Sequence, residues 1–586
     1  MNTFKIKKQS GTYAELLEAY GFANLLSQIF DSINCSDSEI IISDQGLYYE
    51  VTTNTQITDD LLEKLNYFPL FKYVKQKIDS DVSMYPAYFD YPVQEKWKKE
   101  RQTLLNQVYK EYNGKEKKEQ REKRIENIKS IFESQKRIDS SLDVYRQIIT
   151  SNNFPSFDKL YQNFHKNKNL FCLFIHEIIY SYGTGNYTNK GFEKIANEIS
   201  FTKKVTATQL YNPSQGKGLN KLKANGLNGK NFDSSWISES LKVSGALSDM
   251  VCQLVKVGSS YDLKIFVPEY RQVKHRFKSI LVPKFKKYLK GNTPIEIDIL
   301  NILLLTQLVI ENSGLVGRRQ KVKNIVSGLH SVYQKDLGQN KAVVNIGFIQ
   351  VPNFIEFGDK EENQLWIDIL KEQRRLIGII GRGNGKITSG LMLYRNFISG
   401  SDIYSFFNFS YWYAIYLSSQ LSNKKYALAF SIETLNKFYK SMDTKELQLS
   451  EIISNDGFIA VANAIRKSTV ILQYTPKESR KYNVRYGVAQ NLQNKSKSKE
   501  DLAEFIGEFI ALYNSETARQ AEKDGKALRA NVRENELHSF YSLLDSAKSA
   551  KLIGALLASY GFALPKKEVS KIEENKDEVQ SENIEE

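Results

Sequence analysis

The densest gathering of side chains suited to recognition chemistry lies between Thr208 and Trp236. Within TQLYNPSQGKGLNKLKANGLNGKNFDSSW, the amides Asn212, Gln215, Asn220, Asn225 and Asn228 interleave with Lys217, Lys221, Lys223 and Lys230 and with Gly216, Gly218, Gly226 and Gly229. Carboxamides pair with base edges, ammonium groups hold phosphates, and glycines let a backbone come close to a groove. The pattern predicts a DNA-reading loop in which Asn212, Gln215, Asn220 and Asn225 face bases and Lys217, Lys221 and Lys223 face phosphates. Its composition is equally that of an ordinary polar surface loop.

Further cations suit phosphate contacts: Lys274 and Arg276 in RQVKHRFKSILVPKFKKYLKG, Arg318 and Arg319, and Arg382 and Lys386 in Gly381-Arg382-Gly383-Asn384-Gly385-Lys386. The glycine-rich stretch is not of the Walker type. Ile380 stands where the first glycine of GxxxxGK[ST] belongs, and Ile387 replaces the magnesium-holding Ser or Thr. It reads either as a backbone cradle for a nucleic-acid phosphate or as a plain glycine turn.

Signatures of catalysis are missing. The five histidines, His165, His176, His275, His330 and His538, show no metal-ligand spacing, and neither HExxH nor GxSxG occurs. His176 in FCLFIHEII reads as a core histidine rather than a base paired with Glu177, because neighbours in sequence do not share a helix face. The Glu-x-Lys match Glu116-Lys117-Lys118 sits in a charged helical stretch, without the strands a carboxylate nuclease needs. Cys35, Cys172 and Cys252 are too scattered for a disulfide framework or a zinc knuckle, which fits a reducing cytosol. No catalytic residue, metal or cofactor is expected.

The elements that must position the loop follow from periodicity. Helical spacing over Thr12–Ile33, interrupted at Gly21, precedes a hairpin with Ile40–Ile42 and Leu47–Val51 as strands. Residues 95–149 form a charge-laced helical hairpin with its break at Asn113-Gly114. Phe171–Tyr180 is an apolar buried segment, Val251–Val257 and Tyr261–Val267 are paired strands, and Ile295–Ile310 is a buried helix. Beyond Gly400 nearly every segment has helical period: Tyr426–Tyr439, Glu446–Arg466, Lys499–Leu512 and Asn535–Tyr560. Asp402 and Ser498 are the expected N-caps and Gly561 a C-terminal stop. The fold class is α+β: a mixed body over 1–399, a helical bundle over 400–565, and a disordered acidic tail over 566–586.

A chain of 586 residues exceeds the roughly 250–300 at which one core stops growing, so several domains are expected. Its formal charge of +15 is unevenly spread: residues 566–586 hold eight acids against four lysines, leaving a body of +19. Such an excess points to a polyanionic partner, with solubility alone as the alternative. The 34 tyrosines and 32 phenylalanines add faces for base stacking, although most must be core. The N-terminus lacks a secretory apolar core and no apolar run reaches the roughly 20 residues that span a bilayer, so the expectation is a cytoplasmic protein without membrane contact.

This organisation resembles the large subunit of type I CRISPR Cascade complexes, closest to the I-B or I-A branch. The passages that carry the resemblance are YGFANLL (Tyr20–Leu26), TQLYNPSQGKGLNKLKANG (Thr208–Gly226), YNVRYGVAQNL (Tyr482–Leu492), EFIGEFIALYNSETAR (Glu504–Arg519) and LLASYGFA (Leu556–Ala563). The resemblance implies a non-catalytic subunit. Its N-terminal body would anchor the crRNA 5′ region and read the protospacer-adjacent motif on double-stranded target DNA, guide pairing supplying the remaining specificity. Its C-terminal bundle would resemble the small subunits and stabilise the R-loop. The implied partners are crRNA, the backbone, crRNA-capping and small subunits, and the helicase-nuclease. Some branches make the small subunit from an internal start, for which Met392 and Met442 are the available positions. A divergent metal-dependent nuclease and a generic RNA-binding scaffold are the competing readings.

Overall fold

The computed structural model describes the chain except for residues 1, 71–72, 76–87, 113–117, 135–141, 150–153, 186–189, 215–232, 316–318, 339–340, 382–386, 571 and 573–586. Its described residues are α+β, with antiparallel sheets in the N-terminal half and helices in the C-terminal half. They form two compact units. The first comprises residues 1–294 and 304–351, the second residues 295–303 and 352–586.

In the first unit, alternation along Thr3–Lys7, Ile40–Asp44 and Tyr48–Thr53 buries Phe4, Ile6, Ile40, Ile42, Tyr49 and Val51 on one side of an antiparallel sheet. The predicted hairpin is present. Gly46, with φ +81°, makes its turn, and its N–H donates to Asp44 Oδ1 at 2.8 Å. Gln272–Lys274 completes that sheet beside Ile40–Asp44. A second antiparallel sheet runs in the order Lys341–Gln350, Val326–Asp336, Ser260–Tyr270, Val251–Val257, so the other predicted hairpin is also present, with a longer second strand. Arg271 links the two sheets. Its N–H donates to Ile325 O at 2.9 Å and its carbonyl accepts from Asp44 N–H at 2.8 Å.

The helix Ala14–Ser32 is continuous through Gly21, contrary to the expected interruption. Gly21 is instead a contact point. A Cβ there would lie 1.8 Å from Leu241 O, and one on Gly245 would lie 1.9 Å from Leu17 O. The two glycines let this helix and Trp236–Asp249 approach backbone to backbone.

The charged stretch forms the helices Tyr91–Glu111 and Lys118–Ser134, followed by Leu142–Ile149. The first two share a seam of Val108, Ile128 and Phe132, flanked by Trp97, Leu105, Tyr112 and Ile125, so the hairpin has a small core of its own. The predicted break at Asn113-Gly114 lies outside the described residues. Phe171–Tyr180 belongs to the longer helix Lys168–Thr184, and His176 on it is not a core residue. Its side chain is 43% exposed, with Nε2 3.4 Å from Asp59 Oδ1.

The second unit is helical. The expected boundary at 399/400 falls inside this unit, at the last residue of the helix Ile387–Gly400, and the aromatic core includes residues of that helix and of the next, Ile403–Ser422. Phe397 and Phe406 have ring centroids 4.5 Å apart, and Tyr394 and Phe409 4.9 Å apart. Asp402 caps as expected, accepting from Tyr404 and Ser405 N–H, and Ser498 accepts from Asp501 N–H at 3.0 Å. Two predicted helices are divided. Asn455 separates Leu449–Ser454 from Asp456–Ser468, and residues 547–549 separate Glu534–Ser546 from Ala550–Gly561. The segment over Tyr426–Tyr439 becomes helical only at Ile432, where Ser431 caps Thr434 N–H. Residues 571 and 573–586 of the acidic tail lie outside the described residues.

Candidate nucleic-acid interface

The described residues that flank the loop predicted to read DNA are brought together by a short ladder. Val205–Thr206 pairs antiparallel with Asp233–Ser234, placing Val205 opposite Ser234 and Thr206 opposite Asp233. Inside that closure Ala207, Leu210 and Tyr211 are buried, and Tyr13 Oη donates to Leu210 O at 2.7 Å. Ser235 then caps Trp236–Asp249 by accepting from Ser238 N–H. The root is therefore a folded stem.

Asn212 stands at the bottom of this stem, 1% exposed. Its Nδ2 donates to Thr208 O at 3.1 Å and to Glu239 Oε1 at 3.1 Å, and its Oδ1 accepts from Lys242 Nζ at 2.9 Å. Lys242 Nζ also lies 3.4 Å from Glu239 and 3.7 Å from Glu18, which accepts from Tyr182 Oη and, at 2.8 Å, from Ser238 Oγ. Burial raises the Glu239 carboxyl above its usual range, with Lys242 and the hydrogen bonds opposing. Burial also works against the Lys242 ammonium, but Glu18 and Glu239 outweigh it and raise its pKa. Asn212 is thus not the base-reading residue expected. Its amide is consumed by the buried ion network and fixes the root of the loop.

The remaining predicted loop residues, Gln215, Lys217, Asn220, Lys221, Lys223 and Asn225, lie outside the described residues, as do Arg318, Arg382 and Lys386. Lys274 and Arg276 are placed together and exposed, at the junction of Gln272–Lys274 with the helix His275–Lys287. Lys274 Nζ pairs with Glu39 at 2.5 Å. That helix contains no acid, and Arg276, Lys284 and Lys287 are exposed along it. Its buried cations are structural: Lys278 pairs with Asp249 at 2.5 Å, and Lys286 donates to Leu247 O and Ser248 O, capping Trp236–Asp249. His275 Nε2 meets Asn24 Oδ1 at 3.1 Å, and burial, reinforced by Lys278, lowers its pKa to about 4. Arg319 is exposed just before Gln320–Lys321.

A second basic surface, in the helical unit, was missed as a site. Residues 475–499 carry seven Lys and Arg against one Glu, with Asn483, Gln490, Asn491, Gln493 and Asn494 among them. Tyr486 is 63% exposed there. The segment is held from beneath by Arg529, whose guanidinium lies 3.8 Å from the Tyr482 ring and 4.0 Å from that of Tyr513, and whose Nη2 meets Glu516 at 2.7 Å. Arg480 Nε donates to Thr475 O at 2.9 Å. The signal that could have found it was the run of cations and amides around an aromatic residue, the same kind that marked the Thr208–Trp236 loop.

Among the described residues no group of three or more His, Cys, Asp or Glu is placed to hold a metal ion, and no helix is long and apolar enough to cross a membrane. No family model and no curated protein matches the chain.

Proposed function

We propose that this chain is a non-catalytic nucleic-acid-binding large subunit of a type I CRISPR Cascade complex, which recognises the protospacer-adjacent motif on double-stranded DNA and stabilises the R-loop. Its partners in this reading are crRNA, the backbone, crRNA-capping and small subunits, and the helicase-nuclease. The observation that carries the reading is the stem of the amide-, lysine- and glycine-rich loop. A two-residue ladder pairs the residues flanking it, and Asn212 is fixed beside them in a buried ion network. Exposed cations on His275–Lys287 in the same unit supply sequence-independent attraction for phosphates.

The test is binding of motif-bearing and motif-scrambled duplexes to the assembled complex. Asn220→Ala is expected to narrow the difference between the two duplexes by about 1–3 kcal/mol, the scale of one base contact. Lys217→Ala should weaken both and reduce the salt slope by about one. Binding unchanged by either substitution would reject the loop as the reader. Metal-dependent strand cleavage by the purified chain would favour a nuclease, and RNA binding indifferent to any duplex motif would favour a scaffold.

A further inference from the structure

The basic surface of residues 475–499 and the base of the acidic C-terminal segment are tied to one turn of helix. Arg485 N–H donates to Ser468 O at 2.9 Å. Two residues before Ser468, Arg466 reaches the end of the helix Ala550–Gly561: its Nε donates to Ala563 O at 2.7 Å and its Nη2 to Tyr560 O at 2.7 Å. From Ala563 the chain stays anchored. Leu564 N–H donates to Phe430 O, Lys566 Nζ pairs with Asp368 at 3.0 Å, and Val569 is buried.

Beyond that anchor, residues 573–586 hold seven acids against one lysine. Fourteen residues span up to about 45 Å when extended. The path from Arg485 to Ala563 crosses only the helix turn between them, and the six residues to Val569 add at most about 20 Å. The acidic segment is therefore long enough to lie along the basic surface.

That surface has charge to offer. Lys477, Lys481 and Lys497 are exposed, and none of them pairs with a carboxylate among the described residues. Arg529, Tyr482 and Glu516 fix the backbone that carries Lys481 and Tyr486, so an anionic chain would meet a preformed surface.

We propose that residues 573–586 occupy the basic surface of residues 475–499 as a built-in polyanion and compete there with nucleic acid. The competition rests on the nucleic-acid reading given above; the contact between segment and surface does not. Both weaken with salt, since the Debye length shrinks from about 10 Å at 0.1 M to about 3 Å at 1 M.

Two measurements on the full-length chain test this. Zero-length carbodiimide crosslinking with mass spectrometry, without nucleic acid, should join carboxylates of residues 573–586 to Lys477, Lys481, Lys495 or Lys497, and K477E/K481E/K497E, which keeps Lys495, should abolish the link to Lys495 as well. Fluorescence anisotropy with a labelled single-stranded oligonucleotide at low salt should show binding tightened at least threefold by deleting residues 573–586. The same gain is expected from E573Q/E574Q/D577N/E578Q/E582Q/E585Q/E586Q. Absence of the crosslinks overturns the contact and leaves the nucleic-acid reading standing. Oligonucleotide binding that deletion does not change overturns the competition alone. Failure of both forms to bind any oligonucleotide overturns the competition together with the nucleic-acid reading.

Discussion

At the scale of single residues, Asn212 separates recognition from anchoring. Removing its amide leaves Glu239 and Lys242 buried with fewer partners, so Asn212→Ala should lower stability by about 1–3 kcal/mol in denaturant unfolding. Asn220→Ala, acting on binding alone, should leave the unfolding midpoint in place. Two other groups set the acid limb of stability. His275 has its folded pKa lowered from 6.5 to about 4, first by burial and then by Lys278. Glu269 is lowered from 4.5 to about 2: burial opposes this, but the His330 hydrogen bond, Tyr49 and Lys8 prevail. In both cases the folded state binds protons less readily than the unfolded one. The stability they contribute is present above the unfolded pKa and is lost as pH falls through the folded value. Unfolding midpoints should therefore decline between pH 6.5 and 4 because of His275 and further between 4.5 and 2 because of Glu269. His275→Gln, which keeps a donor toward Asn24, should flatten the upper part of that decline; an unchanged profile would remove His275 from the account.

At the scale of elements, the closest contact is between the helices Ala14–Ser32 and Trp236–Asp249. A methyl group on Gly21 or Gly245 would meet backbone carbonyls, which no rotamer change can relieve. Gly21→Ala and Gly245→Ala should each destabilise by about 3 kcal/mol, measured by urea titration, because the helices must separate to admit the added carbon. Periodicity revealed that a helix covers Gly21, but a single sequence does not distinguish a glycine that breaks a helix from one that admits a neighbour. The same division runs through the rest of the chain. The hairpins around Gly46 and Gly258, the buried helix Pro294–Glu311 and the caps at Asp402 and Ser498 were legible because turn and cap chemistry is local. The splits at Asn455 and at residues 547–549, and the late start at Ile432, were not, because tertiary contacts decide them. Ser431, for example, is fixed by Glu372, 59 residues away, through its N–H at 2.9 Å and its Oγ at 2.6 Å. The site was legible in the same measure. Loop composition marked where amides and lysines gather, whereas Asn212 needed its partners at 239 and 242 to be recognised as a structural residue.

At the scale of the whole molecule, the division into units bears on whether a shorter product starting at Met442 would be a folded one. Residues 352–586 share their unit with residues 295–303: Asp298 pairs with Arg395 at 3.2 Å, and the Glu296 carboxylate fills the space beside Gly381. A chain beginning at Met442 would keep the contacts of Asp456–Ser468 with Glu534–Ser546 and Ala550–Gly561. It would lose the helix Ile403–Ser422, against which Ala550–Gly561 packs. It would also lose the Tyr439 hydroxyl beside Ser559 at 2.6 Å, the Tyr411 hydrogen bond to Lys551 O at 3.1 Å and the Asn436 acceptor for Tyr560 at 2.8 Å. Ala550–Gly561 is buried along nearly its whole length, so removing that partner exposes an apolar face that short helices cannot cover. Expressed alone, residues 442–586 should be helical by far-UV circular dichroism yet bind a hydrophobic dye and melt without a cooperative transition. A sharp melt with no dye binding would show that the fragment supports its own core, and would restore Met442 as a start for an independent subunit.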